Sequence, residues 1–506
     1  MTLRHFATIL CLTLGLNSWA TQPGALLLVP DVVDFGSGHS MDAERGYFYV
    51  SENRTKPDSN TITIAVLRFA STAKTPGDPI FVLAGGPGSS YNATLKNPRP
   101  NSYKFFLYQL INDLRSTGDV VIPDQRGAGL SLPYMNVPPM PEQLPLDEAL
   151  TEQGMQHAAA EQALRIRSYW TARGHDVDGY HALQLADDLN ELREALGYKK
   201  ISIYGGSFGS QSTFTLIRRH PKIVTRILVW GIEDIDHTYD MPSGILNSYK
   251  AILADAEQDA DLADHIPAGG ILTAVRTVIK RLQQRPEQVE LADPESGLTR
   301  TVTVGPEEFK MLWAERVRRR GNSSWPGSLL PVFKGDFSAI AARVAAYKDD
   351  QAAGNPTFPA AMFYAMDCGL APSATRRSAL ANDPAIAVLG EINSAYYGAC
   401  EAWQAPDVTT AFKAPLVTDL PALFIHGTWD LSTPLMNATA AIAGYRNGHL
   451  VVVERGTHGV MSELYAERPD FVRPLLREFF SAIPMENVPS RISLPNLDFA
   501  APPATE

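Results

Sequence analysis

At 506 residues, 45% of them apolar, the chain is long enough to bury a large core, and its 55 acidic against 44 basic side chains leave a formal charge of −11. That balance, with no basic stripe along the chain, excludes nucleic acid as a partner. Three cysteines with no Cys-x-x-Cys pair or histidine-spaced cluster exclude a zinc or dithiol redox site, so no metal is expected.

Arg4 and His5 precede an apolar run from Phe6 to Leu16, and Ser18-Trp19-Ala20 follows as a small-x-small cleavage signal. This predicts a secretory signal peptide over residues 1–20. The run is too short to span a bilayer and no later stretch is long and apolar enough, so a secreted or periplasmic protein without stable membrane insertion is expected. Cys11 lies in the leader, which leaves Cys368 and Cys400 as either a disulfide, favoured by export, or two buried thiols. Closing that loop of about thirty residues would contribute roughly 3–4 kcal/mol.

Two strand-like runs, Tyr47 to Val50 and Ile62 to Phe69, flank a turn-rich segment and predict a hairpin. From Asp78 a short apolar strand runs into Gly85-Gly86-Pro87-Gly88, a turn that brings bare backbone to a ligand, with the Gly86 amide as a candidate oxyanion donor. A second buried strand, Val120 to Ile122, ends in Asp124-Gln125-Arg126-Gly127, where Arg126 reads as a structural ion-pair partner. Leu185, Leu189, Leu192 and Leu196 mark a helix with one buried face, closed by Gly197.

The chain is organised around the next stretch, Lys199 to Arg219. Ile201, Ile203 and Tyr204 form a strand, Gly205, Ser207 and Gly209 spell G-x-S-x-G at its carboxyl end, and a helix follows. Such an elbow exposes the Ser207 hydroxyl and turns the Phe208 N–H toward a developing oxyanion. Thr225 to Asp236 gives another buried strand. From His237 to Pro415 amphipathic helical patterns predominate and predict a cap over the site. Two further strands, Ala422 to Ile425 and Leu450 to Val453, each lead into a polar loop, and the tail after Pro489 is assigned no structure.

A serine needs a histidine as base and a carboxylate to orient it. Asp430 and His458 each lie just past the carboxyl end of a strand, the edge Ser207 occupies, whereas Asp419 and His449 precede theirs. His426 leaves its strand at once and reads as loop packing. The order Ser207, Asp430, His458 is that of α/β-hydrolases.

Together, Gly85-Gly86-Pro87-Gly88, Asp124-Gln125-Arg126-Gly127, Gly205-Gly206-Ser207-Phe208-Gly209, His426-Gly427 with Asp430, and Gly456-Thr457-His458 resemble the proline iminopeptidase and tripeptidyl aminopeptidase family of serine peptidases. Cys368 and Cys400 resemble the paired cysteines of its exported branch. Ala84 and Phe208 depart from common family residues without removing a backbone donor. The resemblance implies an α/β-hydrolase fold, a mostly parallel central sheet with a large helical cap inserted between two core strands. The expected boundaries are core over 21–236, cap over 237–415, core over 416–484 and a tail over 485–506.

It further implies an aminopeptidase acting on peptides with a free amino terminus, without cofactor, and carboxylates near the cap that bind the substrate's ammonium. Among Glu233, Asp234, Asp236 and Asp240, Glu233 or Asp234 is the expected anchor. The competing readings are a carboxylesterase or lipase using the same residues, and a binding protein on a hydrolase scaffold.

Overall fold

Runs of Val, Ile and Leu four to seven residues long build the centre of the molecule, because a strand covered on both faces needs no polar alternation. In the computed structural model, β4 (Ile80–Leu83), β5 (Val120–Pro123), β6 (Ile201–Gly206) and β10 (Ala422–Gly427) are buried at every position. The structure describes residues 21–97, 99, 101–136, 144–292, 297–314, 323–353, 360–406, 408, 412–484 and 486–501. The predicted leader, residues 1–20, lies outside the described residues.

The other strands are β1 (Leu26–Gly36), β2 (His39–Ser51), β3 (Thr61–Phe69), β7 (Val224–Trp230), β8 (Glu287–Ala292), β9 (Thr299–Val304), β11 (Gly448–Glu454) and β12 (Arg491–Ser493). Ten of them form one sheet in the order β1-β2-β3-β5-β4-β6-β7-β10-β11-β12. From β5 to β12 every neighbouring pair is parallel, and β1, β2 and β3 extend the sheet antiparallel. The expected hairpin is β2–β3, and β1, written in LLLVPDVVDF, adds a further antiparallel strand beyond it.

Helices cover both faces. Ser102–Arg115 and Pro469–Phe480 bury Leu107, Leu110 and Leu476 on one side, and Ala182–Ala195 and Phe208–Arg219 bury Leu185, Leu189 and Phe214 on the other. Arg126, fully buried, holds Asp188 with two bonds of 2.7 and 2.8 Å and donates to the carbonyls of Glu52 and Gly179, the structural role read from the sequence.

Between β7 and β10 the chain leaves the sheet for a cap with its own core around Tyr249, Trp313 and Trp325. Its helices include Pro242–Ala256, Ile271–Gln284, Pro306–Trp313, Ser338–Ala353, Ala360–Gly369 and Ser394–Trp403. The cap is not helical throughout: β8 and β9 pair as an antiparallel hairpin, encoded by the Thr/Val alternation of Thr299–Val304. The helix Glu152–Thr171, from the first part of the chain, joins this layer, and packs so closely on Ser394–Trp403 that a Cβ at Gly398 would collide with the Gln156 carbonyl. A disulfide links Cys368 to Cys400. Among the described residues no helix is long and apolar enough to cross a membrane.

Candidate active site

Ser207 ends β6 and opens the helix Phe208–Arg219 with φ 55° and ψ −130°, a left-handed conformation that a non-glycine residue adopts only where its surroundings enforce it. The enforcement is steric. A Cβ on Gly209 would lie 2.5 Å from the Leu83 carbonyl oxygen, and one on Gly205 would lie 2.5 Å from the Gly209 carbonyl. The N–H of Phe208, first in its helix, has no intrahelical acceptor by position and stands at the positive helix end, next to Ser207.

The Gly85–Gly88 turn lies against the elbow: a Cβ on Gly85 would sit 3.3 Å from Ser207 Oγ. Gln125 fastens this turn, its Nε2 donating to the carbonyls of Ala84 (3.1 Å) and Gly85 (2.8 Å) while its Oε1 accepts from Gly88 N (2.9 Å). In this motif the sequence singles out Arg126; the role of Gln125 emerges only from the packing of the turn.

The structure brings Asp430 and His458 to the same sheet edge. His458 Nδ1 lies 2.9 and 3.0 Å from the two carboxylate oxygens of Asp430. His458 and Ser207 converge on Gly231, where a Cβ would stand 2.9 Å from His458 Cε1 and 3.5 Å from Ser207 N. Asp430 is fully buried, which alone would raise its carboxyl, but the His458 imidazole and the Thr433 N–H outweigh burial and hold it down at about 2. Ser432 N (2.8 Å), Thr433 N (2.9 Å) and Thr433 Oγ1 (2.9 Å) all donate to this carboxylate. His426, packed at the end of β10, accepts from Ile232 N through Nδ1 (3.2 Å) and donates through Nε2 to the Thr433 carbonyl (2.8 Å). Only the neutral Nε2–H tautomer satisfies both bonds, and burial lowers its pKa in agreement.

Ser207 opens onto a cavity of about 1400 Å³ between sheet and cap, lined also by Gly86, Glu233, Asp240, Asp367 and Tyr396. Glu233 faces it with Gln211 Nε2 3.3 Å from its Oε1; burial, then the charges of Asp367 and Asp240, push its carboxyl well above the ordinary range. Asp367, 2% exposed, is pushed up to about 8 by burial, and its Oδ1 has no hydrogen-bond partner. Arg376, whose charge acts on Glu233 and Asp240, donates to the Tyr239 carbonyl at 2.7 Å. Asp234 faces away from the cavity, pairing with Arg218 at 3.4 Å and capping Ile235 N, and Asp236 is spent on Ser373. Among the described residues no three such side chains converge to ligate a metal ion. The arrangement gathers Ser207, the His458–Asp430 pair and the Gly85–Gly88 turn at one sheet edge, with the carboxyl groups of Glu233, Asp240 and Asp367 lining the cavity that Ser207 enters.

Residues 78–264 match the family model described as "alpha/beta hydrolase fold", and residues 388–467 match one described as "TAP-like protein". A proline iminopeptidase of Xylella fastidiosa is 26% identical over 31% of this chain and 33% of its own length. One from Arabidopsis thaliana is 24% identical over 43% of this chain and 44% of its own. The chain thus spans about a third of the length of the Xylella relatives it matches. Among solved structures, a serine hydrolase from Cycloclasticus zankles is 13% identical with a TM-score of 0.34, covering 87% of this chain and 98% of that one. A 2-hydroxy-6-oxo-6-phenylhexa-2,4-dienoate hydrolase from a Rhodococcus species is 18% identical with a TM-score of 0.34, covering 87% and 99%.

Proposed function

We propose that this chain, an α/β-hydrolase with a TAP-like second segment, is an exported serine aminopeptidase that releases proline or short di- or tripeptides from the amino ends of peptides. The observation that carries the reading is the carboxylate corner of Glu233, Asp240 and Asp367 in the cavity that Ser207 enters. A peptide's α-ammonium is costly to bury without an anionic partner, and the unpaired Asp367 oxygen lacks a cationic one. Ester substrates need no such corner. The family models and the iminopeptidase relatives support the same direction.

In this reading Ser207 Oγ attacks the scissile carbonyl while His458 Nε2 takes its proton. Asp430, already ionised, stabilises the imidazolium and fixes the ring through Nδ1. Negative charge gathers on the carbonyl oxygen, where the N–H groups of Phe208 and Gly86 receive it. Collapse breaks the C–N bond, and His458 returns the proton to the leaving amine. Water, deprotonated by the same imidazole, then hydrolyses the acyl-enzyme and frees Ser207. Asp234, turned away from the cavity, has no part in substrate binding here.

Chromogenic peptides, free or acetylated at the amino end, test this. Free peptides should be cleaved at least about tenfold more efficiently, since a charge-assisted contact contributes about 1.5–3 kcal/mol, and Ser207→Ala should lower kcat about a millionfold. Equal cleavage of both forms, or of simple esters alone, would move the protein to the carboxylesterases.

A further inference from the structure

The anionic corner is assembled from distant parts of the chain. Glu233 and Asp240 follow β7, whereas Asp367 and Tyr396 come from two separate cap helices, Ala360–Gly369 and Ser394–Trp403. Tyr396 hydrogen-bonds Asp367 and so joins the two helices at the cavity surface. The single covalent link between them is in the same place: Cys368 is the residue after Asp367, and Cys400 lies one helical turn beyond Tyr396 on the same helix.

A staple is needed there for an electrostatic reason. To receive an ammonium, Asp367 must give up its proton beside Asp240 and Glu233, and the charges then repel across a water-poor corner. That repulsion acts to separate the cap helix carrying Asp367 from the segment carrying Glu233 and Asp240, to which the helix Ser394–Trp403 is tied by its N-terminal Asn393, whose side chain accepts from Asp240 N (3.1 Å) and donates to the Asp240 carbonyl (3.0 Å). Ring contacts between the two helices, Phe363 with Tyr396 (5.9 Å) and Tyr364 with Trp403 (5.8 Å), resist it without fixing the register of a carboxylate to the tenths of an ångström that a charged hydrogen bond requires.

We infer that the Cys368–Cys400 disulfide is a specificity device: it positions Asp367 and Tyr396 for the substrate's amino end and is dispensable for the chemistry at Ser207. The inference rests on the aminopeptidase reading. Reduction by an added dithiol passes two electrons and two protons to the bridge, giving two Cys thiols and the cyclic disulfide of the reagent. The loops bearing Ser207, Asp430 and His458 hold none of these atoms, so their geometry is unaffected.

The experiment compares the oxidised enzyme, the folded enzyme treated with dithiothreitol and checked by thiol counting, and Cys368→Ser/Cys400→Ser. Each is assayed on a free-amino peptide, its acetylated form and a small acyl ester. Reduced enzyme and double variant should show KM for the free peptide raised about tenfold with kcat little changed, and ester hydrolysis unchanged. Unchanged KM after complete reduction would overturn the inference, as would an equal loss on peptide and ester, the mark of a merely structural bond. If the double variant does not fold, the dithiothreitol arm decides. An oxidised enzyme indifferent to acetylation would instead overturn the aminopeptidase reading, a separate result visible before any reduction.

Discussion

Asp367 shows at the scale of one residue what a buried carboxyl without a cationic partner costs in stability. Its folded pKa of about 8 lies above the ordinary 3.8, so between those values the folded state holds a proton that the unfolded chain has released. Stability from this group is therefore full below about pH 4 and is lost as pH rises through about 8. Glu233, Asp240 and Tyr396 face it, and Arg376, which acts on Glu233 and Asp240, is turned to a backbone carbonyl. Asp367→Asn should raise the unfolding temperature at pH 8 by roughly 5–10 °C and leave it unchanged near pH 4. Calorimetry at the two pH values checks this. Asp430 works the other way: its lowered pKa supplies stability that is present above about pH 4 and lost as pH falls through about 2.

At the scale of elements, the proposed mechanism requires the turn Gly85–Gly88 and the start of the helix Phe208–Arg219 to hold two N–H groups on one point. The helix is fixed by the close approach of β4, but the turn has no regular structure, and Gln125 supplies its bracing from the end of β5. Gln125→Leu removes three hydrogen bonds and leaves Gly88 N without its acceptor. Its kcat should fall about a hundredfold with KM changed much less, because a misplaced donor is missed chiefly in the transition state. Steady-state kinetics on the free peptide measures the split; a fall confined to KM would show that the turn serves binding alone.

At the scale of the whole molecule, residues 486–501 of the tail form a strap across the fold. β12 adds to β11, Arg455 Nη1 donates to the Leu494 carbonyl, Phe499 N bonds Asp259 Oδ2 at 3.1 Å, and Ala500 N bonds the Ser323 carbonyl at 2.9 Å. Phe499, 3% exposed, packs with its ring centroid 6.3 Å from that of Trp429, the neighbour of Asp430. The tail thus joins cap, sheet edge and the loop of the candidate acid. Phe499→Ala should cost about 3–5 kcal/mol in thermal or urea unfolding and lower kcat, since Asp430 loses its buttress. The sequence by itself determined the parallel core and the edge where Ser207, Asp430 and His458 sit. Buried parallel strands are apolar at every position, and a residue just past one is assigned to an edge by chain direction alone. It did not determine β1, the β8–β9 hairpin or the strap, whose short or edge-exposed runs carry weaker patterns. Nor did it separate Glu233 from Asp234 or find Asp367 and Gln125. Adjacent loop residues part according to backbone turn, and the anionic corner exists only once cap helices far along the chain have folded over the sheet, so packing decided it.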